Sequence, residues 1–339
     1  MYNEAAVIEP AVARLRSCID SLPRTCEVLL IDDGSTDPTL RLAFKAIAGD
    51  RRFRILRHRV NFGRGRALRT GFAEARGSII VTTEGDLSWG EDAIGRLIDA
   101  IEADPALDAV FASPHLAGGG YRNVPRLRVF LSSIGNRILG FFYAGRISMT
   151  TGMTRAYRAE AIQPHSFSED GKEIHLEIAH RLLTLGFRIG EVPAVLSWPE
   201  GPGRGSRMDW NKIVRLISTH LAFGIFRGVS KVIGPAVAFL TVAIAAFGSW
   251  AIWNLLFQAP SIYLATLTGV LVILWVTLLL GYFLLYHLLS VTREVWRTQS
   301  LLGIRRRGLE GRAAERSYYD EVEAPAAASF AEAGAAALK

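Results

Sequence analysis

The chain has 339 residues, half of them hydrophobic, with 39 Lys and Arg against 32 Asp and Glu and a formal net charge of +7. That length suits one large domain or two modest ones, and a mean hydropathy of +0.22 is high for an enzyme that lives wholly in water. Cys18 and Cys26 have neither zinc-ligand nor C-x-x-C spacing, and as two isolated cysteines expected on the cytoplasmic side they read as reduced core residues rather than a disulfide.

Met1-Tyr2-Asn3-Glu4 leads directly into a helical pattern, with Val7/Ile8, Val12, Leu15, Ile19 and Leu22 spaced i, i+3/i+4 and Pro10 tolerated in the first turn. This polar start lacks the pattern of a cleavable signal peptide, so none is expected. A doubly wound domain places a strand ahead of such a helix, so either the start is misplaced or the sheet lacks its first strand. Val28-Leu29-Leu30-Ile31 then reads as a strand buried on both faces. Asp32, Asp33 and Gly34 follow at its carboxyl end, where open α/β sheets bind ligands, and Ser35 or Asp37 caps a helix over 38–48.

Phe53 to Leu56 predicts a second strand, and Asn61-Phe62-Gly63-Arg64-Gly65-Arg66-Ala67-Leu68 follows. Its G-x-G invites a dinucleotide reading, but the third glycine and a downstream acidic partner are both missing. A helix over 67–75 ends at Gly77, and 78–83 forms the next strand. Glu84-Gly85-Asp86-Leu87 comes next. Residues i and i+2 of an extended segment face one side, so Glu84 and Asp86 converge. Two close carboxylates repel unless a cation, proton or basic group lies between them, and Mg²⁺ or Mn²⁺ bridges such pairs to diphosphates. Taken alone, E-x-D is also an ordinary acidic turn.

Residues 121–145 are amphipathic, with Arg122, Arg126 and Arg137 near one stripe, and 209–231 repeats the pattern with Lys212 and Arg215. Each reads as a core-facing or an interfacial helix, and the adjoining membrane segments favour the interfacial reading. Two uncharged apolar runs, 232–257 and 262–289, exceed the roughly 20 residues a bilayer crossing needs. Only the short uncharged link 258–261 joins them, which makes a helical hairpin spanning 232–289. Arg227 and Lys231 precede the hairpin and Arg293, Arg297 and Arg305 to Arg307 follow it, so both termini are expected in the cytoplasm. The tail, 290–339, is basic and then Ala- and Glu-rich, and from Ala313 onward it reads as disordered or loosely helical.

Together YNE at 2–4, IDDGSTD at 31–37, NFGRGRAL at 61–68 and EGDL at 84–87 resemble the family 2 glycosyltransferases, in particular the polyprenyl-phosphate, dolichol-phosphate mannose synthase-like group. The resemblance covers about residues 2–208 and extends to Thr151-Gly152-Met153 with Arg155, to Glu177 with Arg181, to Glu191-Val192-Pro193 and to Gly205-Ser206-Arg207. It implies an α/β catalytic domain of the GT-A fold, Rossmann-like with a mainly parallel sheet, over 1–208, followed by the transmembrane hairpin.

By the same resemblance Tyr2, Glu4, Asp32, Asp33, Arg64 and Gly85 bind a nucleotide diphosphate-sugar, and Glu84 and Asp86 hold Mg²⁺ or Mn²⁺. Asp86, Glu177 and Arg155 serve the chemistry, with Glu177 reading equally as a structural partner of Arg181 four residues on along a helix, while Arg122, Arg126, Arg204 and Arg207 meet phosphates. The implied acceptor is a membrane polyprenyl phosphate, homo-oligomerisation stays open, and no nucleic-acid partner is expected. Glu84 stands where the family has Asp and Ser88 where it has Gln, and the arginine ahead of G-x-S-K is missing unless Arg204 or Arg207 replaces it. Two other readings remain: a hydroxyl acceptor with Glu177, His175 or Glu173 as base, and a catalytically inactive membrane scaffold.

Overall fold

A computed structural model describes residues 1–142, 147–198, 229–259, 261–309 and 319–322. The 209–228 part of the juxtamembrane segment lies outside the described residues, as do Arg204 and Arg207 and most of the tail. The chain divides into two compact units, one of Met1–Asn136, Arg146–Gly205 and Thr298–Lys339, the other of Arg137–Gly145 and Ser206–Arg297.

The first unit opens with α1 (Ile8–Ser21), β1 (Val28–Asp32), α2 (Thr39–Ile47) and β2 (Phe53–His58). Pro10 falls in the first turn of α1, where no intrahelical N–H is lost. The N–H of Thr39 donates to Asp37 Oδ1 at 3.0 Å, so Asp37 supplies the oxygen that holds the start of α2. Next come α3 (Arg64–Glu74), β3 (Ile79–Thr82), α4 (Asp92–Ala103) and β4 (Ala109–Ser113). β5 (Gly120–Arg122), α5 (Arg126–Phe142), β6 (Arg155–Arg158), α6 (Ala159–Ile162), α7 (Ile174–Leu185), β7 (Ile189–Pro193) and β8 (Val195–Ser197) complete the continuous part.

The strands form three sheets, ordered β1-β2-β9, β3-β6-β4-β7 and β5-β8, where β9 is Tyr319–Val322. β1 runs parallel to β2, β4 to β7 and β5 to β8, while β6 and β9 pair antiparallel with their neighbours. β4 is buried along its whole length, as an apolar central strand covered on both faces should be. Two clusters lie on either side of it. Phe111, Tyr157, Ile162 and Leu182 belong to one, and Leu97, Ile101, Val110 and Trp89 to the other. A third joins α1, α2 and β2 through Val12, Phe44 and Ile55. Each such side chain contributes about 1.5–3 kcal/mol through burial.

The second unit is helical, holding α8 (Val229–Phe257) and α9 (Ile262–Leu309) as far as Arg297. These helices contain the stretches Ile233–Phe257 and Ile262–Gln299, each long and apolar enough to cross a membrane. Trp275 Nε1 donates to Thr241 Oγ1 at 2.8 Å and so ties the two helices. α9 has 48 residues and continues well past the expected end at 289, because Arg, Leu, Glu and Gln beyond Ser290 are good helix formers.

Candidate active site

The acidic ends of β1 and β3 meet at Met1. The Met1 amino group donates to Ile31 O at 2.7 Å and its carbonyl accepts from Asp33 N at 2.9 Å. A methyl group added to Gly85 would lie 4.0 Å from Met1 Cβ. Tyr2, Glu4, Asp33, Arg64, Glu84, Gly85 and Asp86 all line one cleft of 1340 Å³, together with Ser88, Trp89 and Trp198.

The two aspartates of the first tip differ. Asp32 is fully buried; its Oδ1 accepts from Ser35 N at 3.2 Å, while Oδ2 lies 3.5 Å from Arg57 Nε with no hydrogen bond among the described residues. Asp33 is saturated, accepting from His58 Nδ1 at 2.7 Å, Phe62 N at 3.0 Å and Gly63 N at 2.8 Å. Burial by itself would raise its pKa, but the hydrogen bond from His58 and the two backbone N–H groups hold it below the ordinary carboxylate value. His58 is itself buried, with Nε2 2.9 Å from Thr70 Oγ1, so Thr70 fixes the ring that fixes Asp33. Sequence reading stopped the strand at Leu56 and missed His58. Its one signal was a polar residue two positions beyond the apolar run.

The second tip is a strained turn. Leu87 has φ +52° and is buried, a conformation that costs an L-residue about 1–2 kcal/mol. Its N–H returns to Glu84 O at 3.0 Å, and Ser88 binds both carboxylates, Oγ to Glu84 Oε2 at 2.6 Å and N to Asp86 Oδ1 at 3.0 Å. Ser197 N donates to Ser88 O at 2.8 Å and anchors the turn to β8. Arg64 Nη1 approaches Glu84 Oε1 to 3.7 Å, while Asp86 is exposed. The donor set is hard carboxylate oxygen on an open turn, which fits a divalent ion that keeps waters and takes phosphate oxygens. Among the described residues no third His, Cys, Asp or Glu completes a protein cage.

The glycines that invited a dinucleotide reading have a packing role. Gly65 N donates to Asp170 O at 2.7 Å, and a Cβ on Gly65 would collide with Glu169 O. The 166–171 loop therefore sits directly on the start of α3, from which Arg64 projects. Gly34, at φ +71°, is similarly closed in by the backbone of Val60 and Asn61.

Glu177 holds that loop. It accepts from Ser168 N at 3.0 Å and Glu169 N at 2.9 Å and pairs with Arg181 at 3.1 Å, with 3% of the residue exposed. Arg155, 1% exposed, lies 3.9 Å over the Phe111 ring and donates to Thr150 O at 2.6 Å and His175 O at 3.0 Å. The resemblance puts Arg155 among the chemical groups and leaves Glu177 between a base and the i, i+4 partner of Arg181. Here both side chains are buried and hydrogen-bonded to loop backbone, and Glu177 pairs with Arg181. Glu191 does for the 148–149 backbone what Glu177 does for 168–169, accepting from Ser148 N at 2.9 Å and Met149 N at 3.0 Å. Arg122 and Arg126 are exposed on β5 and at the head of α5, flanking Tyr121 and Val124 of the cleft wall. His175 is buried and its pKa lies well below 6.5, because burial and then the charge of Arg155 oppose protonation.

An α/β domain with acidic strand tips gathered at one cleft has the arrangement of an open sheet that binds its ligand at the strand ends. Residues 1–165 match the Glycosyl transferase family 2 profile. The polyprenol monophosphomannose synthase of Mycolicibacterium smegmatis is 30% identical over 199 residues, spanning 57% of this chain and 73% of that protein. The chain belongs to glycosyltransferase family 2. The undecaprenyl-phosphate mannosyltransferase of Micrococcus luteus is 29% identical, over 57% of this chain and 79% of that one. Glucosyl-3-phosphoglycerate synthase of Mycobacterium tuberculosis, solved with Mn²⁺, UDP and phosphoglyceric acid, shares the fold with a TM-score of 0.50 at 18% identity, over 67% of this chain and 76% of that one.

Proposed function

We propose that this enzyme moves a sugar from a nucleotide diphosphate-sugar to a polyprenyl phosphate at the cytoplasmic face of a membrane, inverting the anomeric centre in one displacement. The observation that carries this reading is that Asp33 of the first acidic tip and Glu84 and Asp86 of the second line one cleft together with Met1. The names of the M. smegmatis and M. luteus relatives support the acceptor class. Asp32, with an unfilled buried oxygen next to cleft-lining Asp33, would receive the nucleoside, and Tyr2 and Glu4 line that cleft.

Glu84 and Asp86 would hold Mg²⁺ or Mn²⁺, which when bound offsets the negative charge of the diphosphate. Arg64 adds a fixed positive charge beside Glu84, aimed by the seating of Gly65 on the 166–171 loop. Arg122 and Arg126 orient the acceptor phosphate through charge-assisted hydrogen bonds. A phosphomonoester, with a second pKa of about 6, is already largely ionised at neutral pH and needs no protein base. That matters here, because Glu177 is committed to backbone N–H groups and His175 is walled in. A hydroxyl acceptor would require one of them or Glu173 to move.

The test is an assay of membranes carrying the enzyme against a panel of UDP- and GDP-sugars with polyprenyl phosphate. Radiolabel passing into an acid-labile lipid supports the reading. Label appearing only in an acid-stable product would replace phosphate with hydroxyl as the acceptor, and donor binding without transfer would leave the scaffold reading.

A further inference from the structure

β9 lies on the edge of β2 away from β1 and aligns Val322 with Ile55, Glu321 with Leu56, Asp320 with Arg57 and Tyr319 with His58. Residues two apart on a strand share a face, so Tyr319 and Glu321 turn toward α3 while Val322 turns the other way. Both faces find partners. Val322 packs on the cluster of Val12, Phe44 and Ile55. Glu321 accepts two hydrogen bonds from Arg54, Nε to Oε1 at 2.8 Å and Nη2 to Oε2 at 3.1 Å. Tyr319 is buried, and its hydroxyl donates to Glu74 Oε1 at 2.8 Å. A strand that only blunted a sheet edge would need charge alone; a buried tyrosine matched to a buried glutamate is a more specific dock.

Helix α3 joins this dock to the acidic tip of β1. Thr70 and Glu74 are one turn apart, and both are buried toward β2. Glu74 holds Tyr319, and Thr70 Oγ1 lies 2.9 Å from His58 Nε2. The other ring nitrogen of His58 is 2.7 Å from Asp33 Oδ1. The ring meets Phe62 edge-on at 5.6 Å and Tyr319 at 6.3 Å, tilted by 53°, both within the range over which aromatic rings attract. Just ahead of the same helix, Gly63 N donates to Asp33 Oδ2 at 2.8 Å. Without Tyr319, that side of His58 would meet water, which competes for both ring nitrogens.

We propose that Tyr319 is a positioning residue of the donor site. Its ring covers His58 and its hydroxyl, held by Glu74, keeps it there. A strand that follows the apolar hairpin in the chain thus sets the aim of Asp33 and of the Phe62–Gly63 backbone. Removing the ring loosens His58, and nucleotide binding weakens. The step after binding is unchanged, because Glu84 and Asp86 belong to the turn after β3 and are held by Ser88. This inference rests on the reading of Asp33 as a nucleotide-binding residue and on nothing about the acceptor.

The test is calorimetric titration of the full chain in detergent micelles with UDP and with GDP, each with Mn²⁺, for the parent, Tyr319→Phe, Tyr319→Ala and Ile162→Ala. Tyr319→Ala should weaken the nucleotide that the parent prefers at least about tenfold, the usual worth of a partner that orients a binding group. In the transfer assay its donor KM should rise by a similar factor while kcat stays within about twofold. Amide exchange at Phe62 and Gly63, whose N–H groups Asp33 holds, should quicken. Tyr319→Phe keeps the ring and should stay within about threefold of the parent in affinity. Ile162→Ala opens a cavity in the cluster around Phe111 and lowers the thermal midpoint, yet should leave affinity within about twofold. A parent that binds nucleotide while Tyr319→Ala binds it equally well overturns this proposal alone, as does an equal loss in Ile162→Ala. A parent that binds neither nucleotide overturns the donor reading and this proposal together.

Discussion

A carboxylate's role depends on how many donors it already has. Asp33 receives three hydrogen bonds and is a fixed strut between β1, His58 and the Phe62–Gly63 backbone. Asp86 accepts one N–H, from Ser88, and is exposed, so it retains lone pairs for a cation. Asp86→Asn should therefore lower transfer at least about 100-fold, the scale of losing one charge-stabilising group. Because the residue is exposed, its thermal midpoint should stay within about 1 °C of the parent. Radiolabel transfer across a Mn²⁺ titration checks this, and activity at the parental level would remove Asp86 from the metal site. His58→Leu should act in the opposite way. It withdraws a donor from a buried carboxylate and costs about 1.5–3 kcal/mol of stability, read from chemical unfolding in detergent, with nucleotide affinity falling because Asp33 and its loop are no longer held.

At the scale of elements, the site is assembled by side chains that grip loops from behind. Glu177 on α7 binds the N–H groups of Ser168 and Glu169, that loop seats Gly65, and Gly65 begins the helix that presents Arg64. Glu177→Gln removes the charge opposite buried Arg181 and should cost about 3 kcal/mol. Calorimetry would measure the loss. If Glu177 were instead a base, the same change would abolish transfer and leave the midpoint unmoved. Only part of this was legible in the sequence. The strands at 28, 53 and 79 and helices α1 and α2 were readable because their apolar spacing records which face is buried. The acidic tips were readable because two carboxylates at a strand end have few structural reasons to be there. The glutamate grips were not, since their partners are backbone N–H groups, which leave no trace in residue identity. The surroundings of Arg155 were hidden for a related reason: a motif names a residue type, but only packing shows that Phe111, Thr150 and His175 surround it. β9 escaped notice because four residues in an Ala- and Glu-rich tail have no period. Their role as an edge strand comes from pairing with β2 and from Tyr319 Oη donating to Glu74 Oε1 at 2.8 Å.

The whole molecule carries a pH dependence whose sign follows from two buried imidazoles. His165 is lowered to about 4, first by burial and then by the charge of Arg181, and His175 is lowered in the same direction by burial and Arg155. Above pH 6.5 the folded and unfolded chains both hold these rings neutral, so they contribute no difference. As pH falls from 6.5 toward 4, the unfolded chain takes up protons that the folded chain refuses, and the equilibrium moves toward unfolding. The slope reaches about 1.4 kcal/mol per pH unit for each histidine. Asp33 extends the same trend further down, because its depressed pKa leaves the folded state ionised after the unfolded carboxylate has been protonated. The thermal midpoint of the intact enzyme should therefore drop steadily between pH 6.5 and 4.5. In the double variant His165→Phe, His175→Leu the midpoint should be nearly level over that interval and begin to fall only below it. A parental slope that persists in the double variant would mean that other groups set the acid limit, and that these rings are protonated, with partners, in the folded enzyme.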